Sequence, residues 1–160
     1  MKRLTTFLTV LGVIAAVTAY TVVSASASTS KSSGKKVTQT MVIVGHSLGA
    51  KASDGKRHDT TLGASFTVPQ GARVTVTVYN YDEGPHTITA PKLGLNVRIP
   101  GAKNEEKGIA SKKTFTFVAK KAGKFLWFCS LPCDAGQGYW DMQSPSKKIG
   151  FMAGYITVSA

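Results

Sequence analysis

The stretch Ala72-Arg73-Val74-Thr75-Val76-Thr77-Val78-Tyr79 alternates apolar and polar residues almost perfectly. Successive side chains of a β-strand point to opposite faces, so a period of two predicts a half-buried strand. Residues 114–118 alternate in the same way, and no long amphipathic helix pattern stands out elsewhere in the sequence. This pattern favours an all-β protein.

Further short apolar or aromatic runs lie on both sides of this strand, at residues 41–44, 64–68, 124–128 and 155–158. Gly, Pro and Asp mark the turns between them, at residues 53–55, 69–71, 82–85, 99–101 and 121–123. Short strands at regular spacing, separated by such turns, predict an antiparallel sandwich or barrel. Two stretches do not fit the strand pattern: residues 47–59 are predicted to be a loop, and residues 134–150 a long connection.

The first 27 residues have the features of a leader. Lys2 and Arg3 precede an uncharged run over residues 4–23, and Ala25-Ser26-Ala27 follows it. Such a pattern predicts a secretory signal peptide cut after Ala27, and hence an extracytoplasmic protein that is secreted or associated with the cell envelope. The apolar run is also long enough to span a bilayer, so an uncleaved anchor is the alternative. Residues 28–36 are Ser, Thr, Lys and Gly, a composition that predicts a flexible linker, and residues 37–160 are expected to form the folded domain.

Basic residues outnumber acidic ones throughout the chain. The 160 residues include 20 Lys and Arg against 8 Asp and Glu, and 18 against 8, or +10, remain without Lys2 and Arg3. Their scatter over predicted turns favours a solvated basic surface. The sharper hypothesis is contact with an anionic envelope polymer, a membrane surface or an acidic redox partner. Nucleic acid is not expected as a partner, because an exported chain rarely meets it and the sequence shows no stacking platform.

Three predicted strand ends carry side chains that bind soft metals. His86 follows a turn, Cys129 and Cys133 follow an aromatic run with Cys-x3-Cys spacing, and Met152 precedes the last predicted strand. Imidazole, thiolate and thioether groups are copper ligands. Loops cluster at the two ends of a sandwich, so these groups converge if the topology brings their strand ends together. A single cysteine pair makes a structural zinc site a poor alternative, whereas a local Cys129–Cys133 disulfide stays open in an oxidising compartment.

With these residues the sequence resembles the cupredoxins, and most closely the copper A domain of cytochrome c oxidase subunit II and nitrous oxide reductase. The resemblance covers about residues 66–158. It rests on the segments Pro85-His86-Thr87-Ile88, Trp127-Phe128-Cys129 with Cys133, and Phe151-Met152-Ala153-Gly154. It implies a Greek-key antiparallel β-sandwich. It also implies a copper site with His86, a bridging pair of cysteines, a backbone carbonyl and a methionine, namely Cys129, Cys133, Leu131 and Met152.

The ligand set that the resemblance implies is incomplete in this sequence. The family has a second histidine between the second cysteine and the methionine, but the histidines of this chain are His46, His58 and His86. His46 and His58 are expected to be exposed loop residues. Alternatives for the missing ligand are these two histidines or side chains of the long connection, namely Gln137, Asp134, Asp141 and Met142. Gln137 stands where the family histidine would fall.

The sequence therefore predicts an exported, monomeric copper protein that transfers electrons to or from a redox partner protein. Two alternatives remain. A copper(I) carrier would use His86, Cys129, Cys133 and Met152 and exchange copper with a donor or acceptor. A metal-free envelope binding module would contain a Cys129–Cys133 disulfide. The sequence shows no nucleophile triad, paired catalytic carboxylates or phosphate-binding loop, so an enzyme is not expected.

Overall fold

The fold is known from a computed structural model that describes residues 34–45, 47–52, 55–132 and 150–160. All of these residues belong to one unit, Ser32–Ala160. The strands are β1 Lys36–Val44, β2 Ala50–Lys51, β3 Arg57–His58, β4 Thr60–Leu62, β5 Phe66–Pro69, β6 Arg73–Asn80, β7 His86–Ala90, β8 Leu95–Ile99, β9 Ser111–Val118, β10 Gly123–Phe128 and β11 Ala153–Ser159. A 3-10 helix at Pro91–Leu93 joins β7 to β8. In the described ranges, no helix has the length and apolar character that crossing a membrane requires.

Two sheets form the domain. One has the strand order β4-β1-β6-β9 and the other β5-β11-β10-β7-β8, while β2 and β3 form a separate hairpin. Buried side chains from both sheets, such as Val76 and Trp127, belong to one hydrophobic cluster. The predicted β-sandwich is therefore confirmed. It is not purely antiparallel, because β1 pairs with β6 and β5 pairs with β11 in parallel.

The strand predicted from the alternating stretch is β6. Its residues Val74, Val76 and Val78 are fully buried, and the residues between them are half-buried. On the outer face, the hydroxyl groups of Thr75 and Thr77 lie 3.3 and 3.1 Å from those of the cross-strand threonines of β9. Burial of each valine stabilises the fold by about 1.5–3 kcal/mol, so this strand anchors the core.

The prediction of a loop over residues 47–59 is wrong in part, because β2 and β3 pair there. Strands β4, β7 and β8 were not predicted. Four of the five positions of β7 are buried, so its burial does not follow the period of two of a strand with one solvent-exposed face. The hairpin strands have only two residues each, too few to show any period.

The sandwich has two ends that differ in chemistry. The His86 end contains Asn80, which finishes β6, and His86, which begins β7. The opposite end, called the Arg73 end, contains Arg73 at the start of β6 and Val118, its cross-strand partner at the end of β9. The residues predicted to bind metal and lying in the described ranges are at the His86 end.

Candidate metal site

His86 and Cys129 meet between neighbouring strands. His86 is the first residue of β7, Cys129 follows β10, and these two strands are paired. The Nδ1 atom of His86 lies 3.9 Å from the Cys129 sulfur, and the two residues are 1% and 0% exposed. Metal–sulfur bonds of about 2.3 Å and metal–nitrogen bonds of about 2.0 Å, as at zinc, can together span up to about 4.3 Å. One ion can therefore contact both atoms as they stand.

The Cys129 sulfur is contacted by two hydrogen-bond donors of Thr87. The Thr87 backbone N–H donates a hydrogen bond to it over 3.3 Å, and the Thr87 hydroxyl lies 3.8 Å away. Donors that point at a thiolate stabilise the charged form over the thiol. The backbone carbonyl oxygen of Leu131, named by the family resemblance, lies 3.8 Å from the same sulfur.

Met152 belongs to the same end of the sandwich and is fully buried. Its backbone carbonyl accepts a hydrogen bond of 2.9 Å from the Cys129 N–H. Thr61 fixes the segment from the other side, since its N–H donates to the Phe151 carbonyl over 2.9 Å and its hydroxyl donates to the Met152 sulfur over 3.1 Å. The three strand ends that carry His86, Cys129 and Met152 are thus close together.

Asp82 is a residue of this site that sequence reasoning missed. Its Oδ2 atom accepts a hydrogen bond of 2.9 Å from Nε2 of His86, and the Gly84 N–H donates to the same oxygen over 2.9 Å. Because the carboxylate binds the far ring nitrogen, it holds the imidazole with Nδ1 towards Cys129, as outer carboxylates do for metal-bound histidines. The available signal was the Asp82-Glu83-Gly84-Pro85 turn, which places Asp82 four residues before His86.

A second group of side chains lies on the other side of the imidazole. Asp59, Asp82 and His86 are all buried, and each offers a ligand atom within 4.8 Å of the others. The expectation that His58 is exposed is wrong, because it is 1% exposed and its ring stacks on Phe151 with 6.0 Å between centroids. The β2–β3 hairpin brings both residues inward, since Asp59 directly follows β3. The carboxylates of Asp59 and Asp82 could hold a cation together with His86. A cation bound to Nε2 of His86 would replace the hydrogen bond between that nitrogen and Asp82.

The charge of His86 follows from these contacts. Burial lowers the pKa of His86, but hydrogen bonds to Asp82 and Cys129 and attraction to their negative charges outweigh burial and raise the pKa to about 9. The ordinary value is 6.5, so the metal-free protein binds a proton at His86 more tightly than the unfolded chain does. At neutral pH the site therefore contains an imidazolium beside a buried carboxylate.

The metal-free protein is expected to lose stability as the pH rises. A raised folded-state pKa stabilises fully below the unfolded value of 6.5, and this contribution disappears as the pH passes through about 9. The loss amounts to about 3 kcal/mol. Urea unfolding of the metal-free protein at pH 6 and pH 9.5 measures it. Asp82→Asn is the control, since the neutral amide should make the pH dependence clearly smaller; an equal dependence in both proteins would contradict the role of Asp82.

Several predicted site residues lie outside the described residues. They are His46 and five residues of the long connection and its start, namely Cys133, Asp134, Gln137, Asp141 and Met142. Their roles as second thiolate or missing ligand remain predictions. His86, Cys129, Leu131 and Met152 are the predicted ligands whose surroundings are described.

No protein-family model matches the chain, and no curated protein matches it in sequence. Solved structures do resemble it. Copper nitrite reductase from Nitrosomonas europaea superposes with a TM-score of 0.52 and 21% identity over 78% of this chain and 42% of that one. Cu-containing nitrite reductase from Thermus scotoductus SA-01 superposes with a TM-score of 0.51 and 16% identity, over 78% of this chain and 28% of that one. Reduced auracyanin from Roseiflexus castenholzii superposes with a TM-score of 0.49 and 19% identity, over 79% of this chain and 100% of that one.

This chain therefore spans less than half of either nitrite reductase. The two nitrite reductase likenesses show the fold, a cupredoxin β-sandwich, as the sequence resemblance predicted. Both of these neighbours are copper proteins by name.

Proposed function

We propose that this chain is an exported copper protein that transfers single electrons. The observation that carries the proposal is the approach of His86 Nδ1 to within 3.9 Å of the buried Cys129 sulfur, at one end of a cupredoxin fold. Thiolate and imidazole together select copper over hard cations such as Mg²⁺ or Ca²⁺. The leader predicted for residues 1–27 supports export, and residues 28–36 would link it to the domain.

His86, Cys129 and Met152 would hold the copper, through imidazole nitrogen, thiolate and thioether. Leu131 would add its backbone carbonyl and Gln137 a side-chain oxygen. Cys133 would supply a second thiolate if the site binds two ions, as in the copper A domains that the sequence resembles. Bound copper would supply a one-electron couple.

The side chains of the site suit electron transfer better than catalysis. His86, Cys129 and Met152 are each at most 1% exposed, so water and substrates are kept from the proposed ligands. Asp82 orients the imidazole and Thr87 the thiolate, and both lie on a strand or a tight turn, so the ligands are fixed before copper binds. We therefore propose an electron carrier rather than an enzyme, monomeric and extracytoplasmic, that exchanges electrons with a redox partner protein.

The second candidate is a copper(I) carrier that receives copper from a donor and delivers it to an acceptor. The donor set favours this alternative, because the described part of the site pairs one imidazole with a thiolate and a thioether, all suited to copper(I). The third candidate is a metal-free module with a Cys129–Cys133 disulfide. Colour separates these functions, because a copper(II)–thiolate site absorbs visible light and a copper(I) site does not.

Copper loading with a visible spectrum tests the proposal. The reduced protein is loaded with copper(II), and bound copper is counted per chain. We expect visible absorption with one or two ions bound. Cys133→Ser is the matched variant: it keeps the colour and the stoichiometry if one ion binds at Cys129, and loses one ion if two thiolates bridge a pair. Absence of bound copper in both oxidation states, with thiols that react only after reduction, would leave the metal-free module.

A further inference from the structure

The described acidic side chains of the domain are confined to one end, whereas basic side chains lie at both ends. The five described carboxylate residues all lie at the His86 end: two are in the buried cluster with His86, and three are in the turns after β6 and β8. They are Asp59, Asp82, Glu83, Glu105 and Glu106. The connection between β8 and β9 is fixed at this end, since the Ala102 N–H donates to the Asp82 carbonyl over 2.7 Å.

The Arg73 end carries a basic groove of about 470 Å³. Four cationic side chains line it, contributed by β6, the 3-10 helix and the β9–β10 turn, namely Arg73, Lys92, Lys120 and Lys121. Its apolar lining includes Leu93, Phe117, Phe125 and Val118, of which Val118 is 39% exposed. Phe117 and Phe125 are buried, so Val118 supplies most of the exposed apolar surface beside the four cations.

The cations of this basic groove are available for an outside partner. Among the residues that the structure describes, none of the four forms an ion pair, and no Asp or Glu side chain lines the groove. Four uncompensated positive charges around one groove attract an anionic surface more strongly than scattered lysines do.

The chain also enters the domain at this end. Lys36, the first residue of β1, is in register with Arg73, and the Arg73 N–H donates to the Lys35 carbonyl over 3.0 Å. The predicted linker over residues 28–36 thus joins the domain beside the basic groove. Lys35 and Lys36 add to the charge of the same end.

We propose that the basic groove docks the domain on a membrane surface, with the four cations on anionic lipid headgroups and the apolar lining at the interface. Lys and Arg side chains extend their apolar stems along such a surface and keep the charge at the headgroups. In this orientation the His86 end faces away from the membrane. The proposal rests on charge and shape at the Arg73 end and is independent of copper.

The test measures binding of the full chain to phosphatidylcholine vesicles with and without phosphatidylglycerol. Lys120→Glu/Lys121→Glu reverses two charges of the groove. Lys112→Glu/Lys113→Glu makes the same change in charge at the start of β9, towards the His86 end, where the two lysines pair with Tyr79 and Val78. Each Lys or Arg at an anionic surface strengthens binding about fivefold, so the groove variant should bind phosphatidylglycerol vesicles at least about 25-fold more weakly than wild type. The control variant should lose much less.

Because both variants share the same residues 1–36, any contribution of the predicted leader to vesicle binding is common to them. Equal losses in the two variants would assign the effect to net charge and overturn the proposal. Wild-type binding that is equal with and without phosphatidylglycerol would overturn it as well. Loss of binding to polyglutamate by the groove variant, with vesicle binding intact, would assign the groove to an acidic polypeptide instead. Thermal unfolding of both variants checks that they are folded.

Discussion

Cys129→Ser is expected to abolish the visible absorption of the copper-loaded protein and to lower its copper(I) affinity by more than about 100-fold. Changes to residues outside the ligand shell already cost 10–100-fold in metal affinity, and this change removes a proposed ligand. A serine hydroxyl is a hard, neutral donor that does not replace a soft thiolate. Competition with a copper(I) chelator measures the affinity, and the spectrum reports the thiolate bond.

The fold should survive this substitution. The hydrogen bond that joins this position to the Met152 carbonyl comes from the backbone N–H and does not need the sulfur. Ser130→Ala is the matched control, because it changes the next residue and removes a hydroxyl that lies 3.0 Å from the Thr87 hydroxyl. Ser130→Ala should keep the colour. A coloured Cys129→Ser protein would exclude Cys129 as the copper thiolate.

Strands with one solvent-exposed face could be predicted from the sequence. In β6 each buried valine is followed by a half-buried Thr or Tyr, so the amino-acid sequence itself shows the period of two. In β7 the threonines alternate with other residues, but four of the five positions are buried, so Thr87 does not mark a solvent-exposed face. The parallel pairing of β1 with β6 was also beyond the sequence, because strand direction depends on chain crossovers and not on local periodicity.

The part of the candidate site that depends on donor groups at strand ends could be predicted from the sequence. His86, Cys129 and Met152 have the donor groups that soft metals prefer, and the structure places the strand ends that carry them together. Asp82 was missed because its role depends on a turn that folds a carboxylate back onto Nε2 of His86. His58 was assigned to the surface because the hairpin that buries it has strands of only two residues.

Gly154→Ala is expected to destabilise the metal-free protein by about 3 kcal/mol or more. A Cβ atom at this position would overlap the Ala64 carbonyl oxygen and lie 2.8 Å from Nε1 of Trp127. Trp127 cannot yield, since it is fully buried and its Nε1–H donates to the same Ala64 oxygen over 2.6 Å. Overpacking costs about 1–3 kcal/mol, and disrupting the indole hydrogen bond adds about 1 kcal/mol. Urea unfolding measures the loss.

The matched control is Gly108→Ala. Gly108 has a φ of +63° with no atom near its missing Cβ, so the change should cost only about 1–2 kcal/mol of backbone strain. Gly154 lies two residues after Met152 and opposite Trp127, two residues before Cys129, on the paired strands β11 and β10. The clash therefore acts on the pairing that holds Met152 against Cys129, and Gly154→Ala should also weaken copper binding, whereas Gly108→Ala should not. If both variants unfold at the same urea concentration, the close contact of Gly154 with Ala64 and Trp127 does not restrict this position to glycine, and the prediction is wrong.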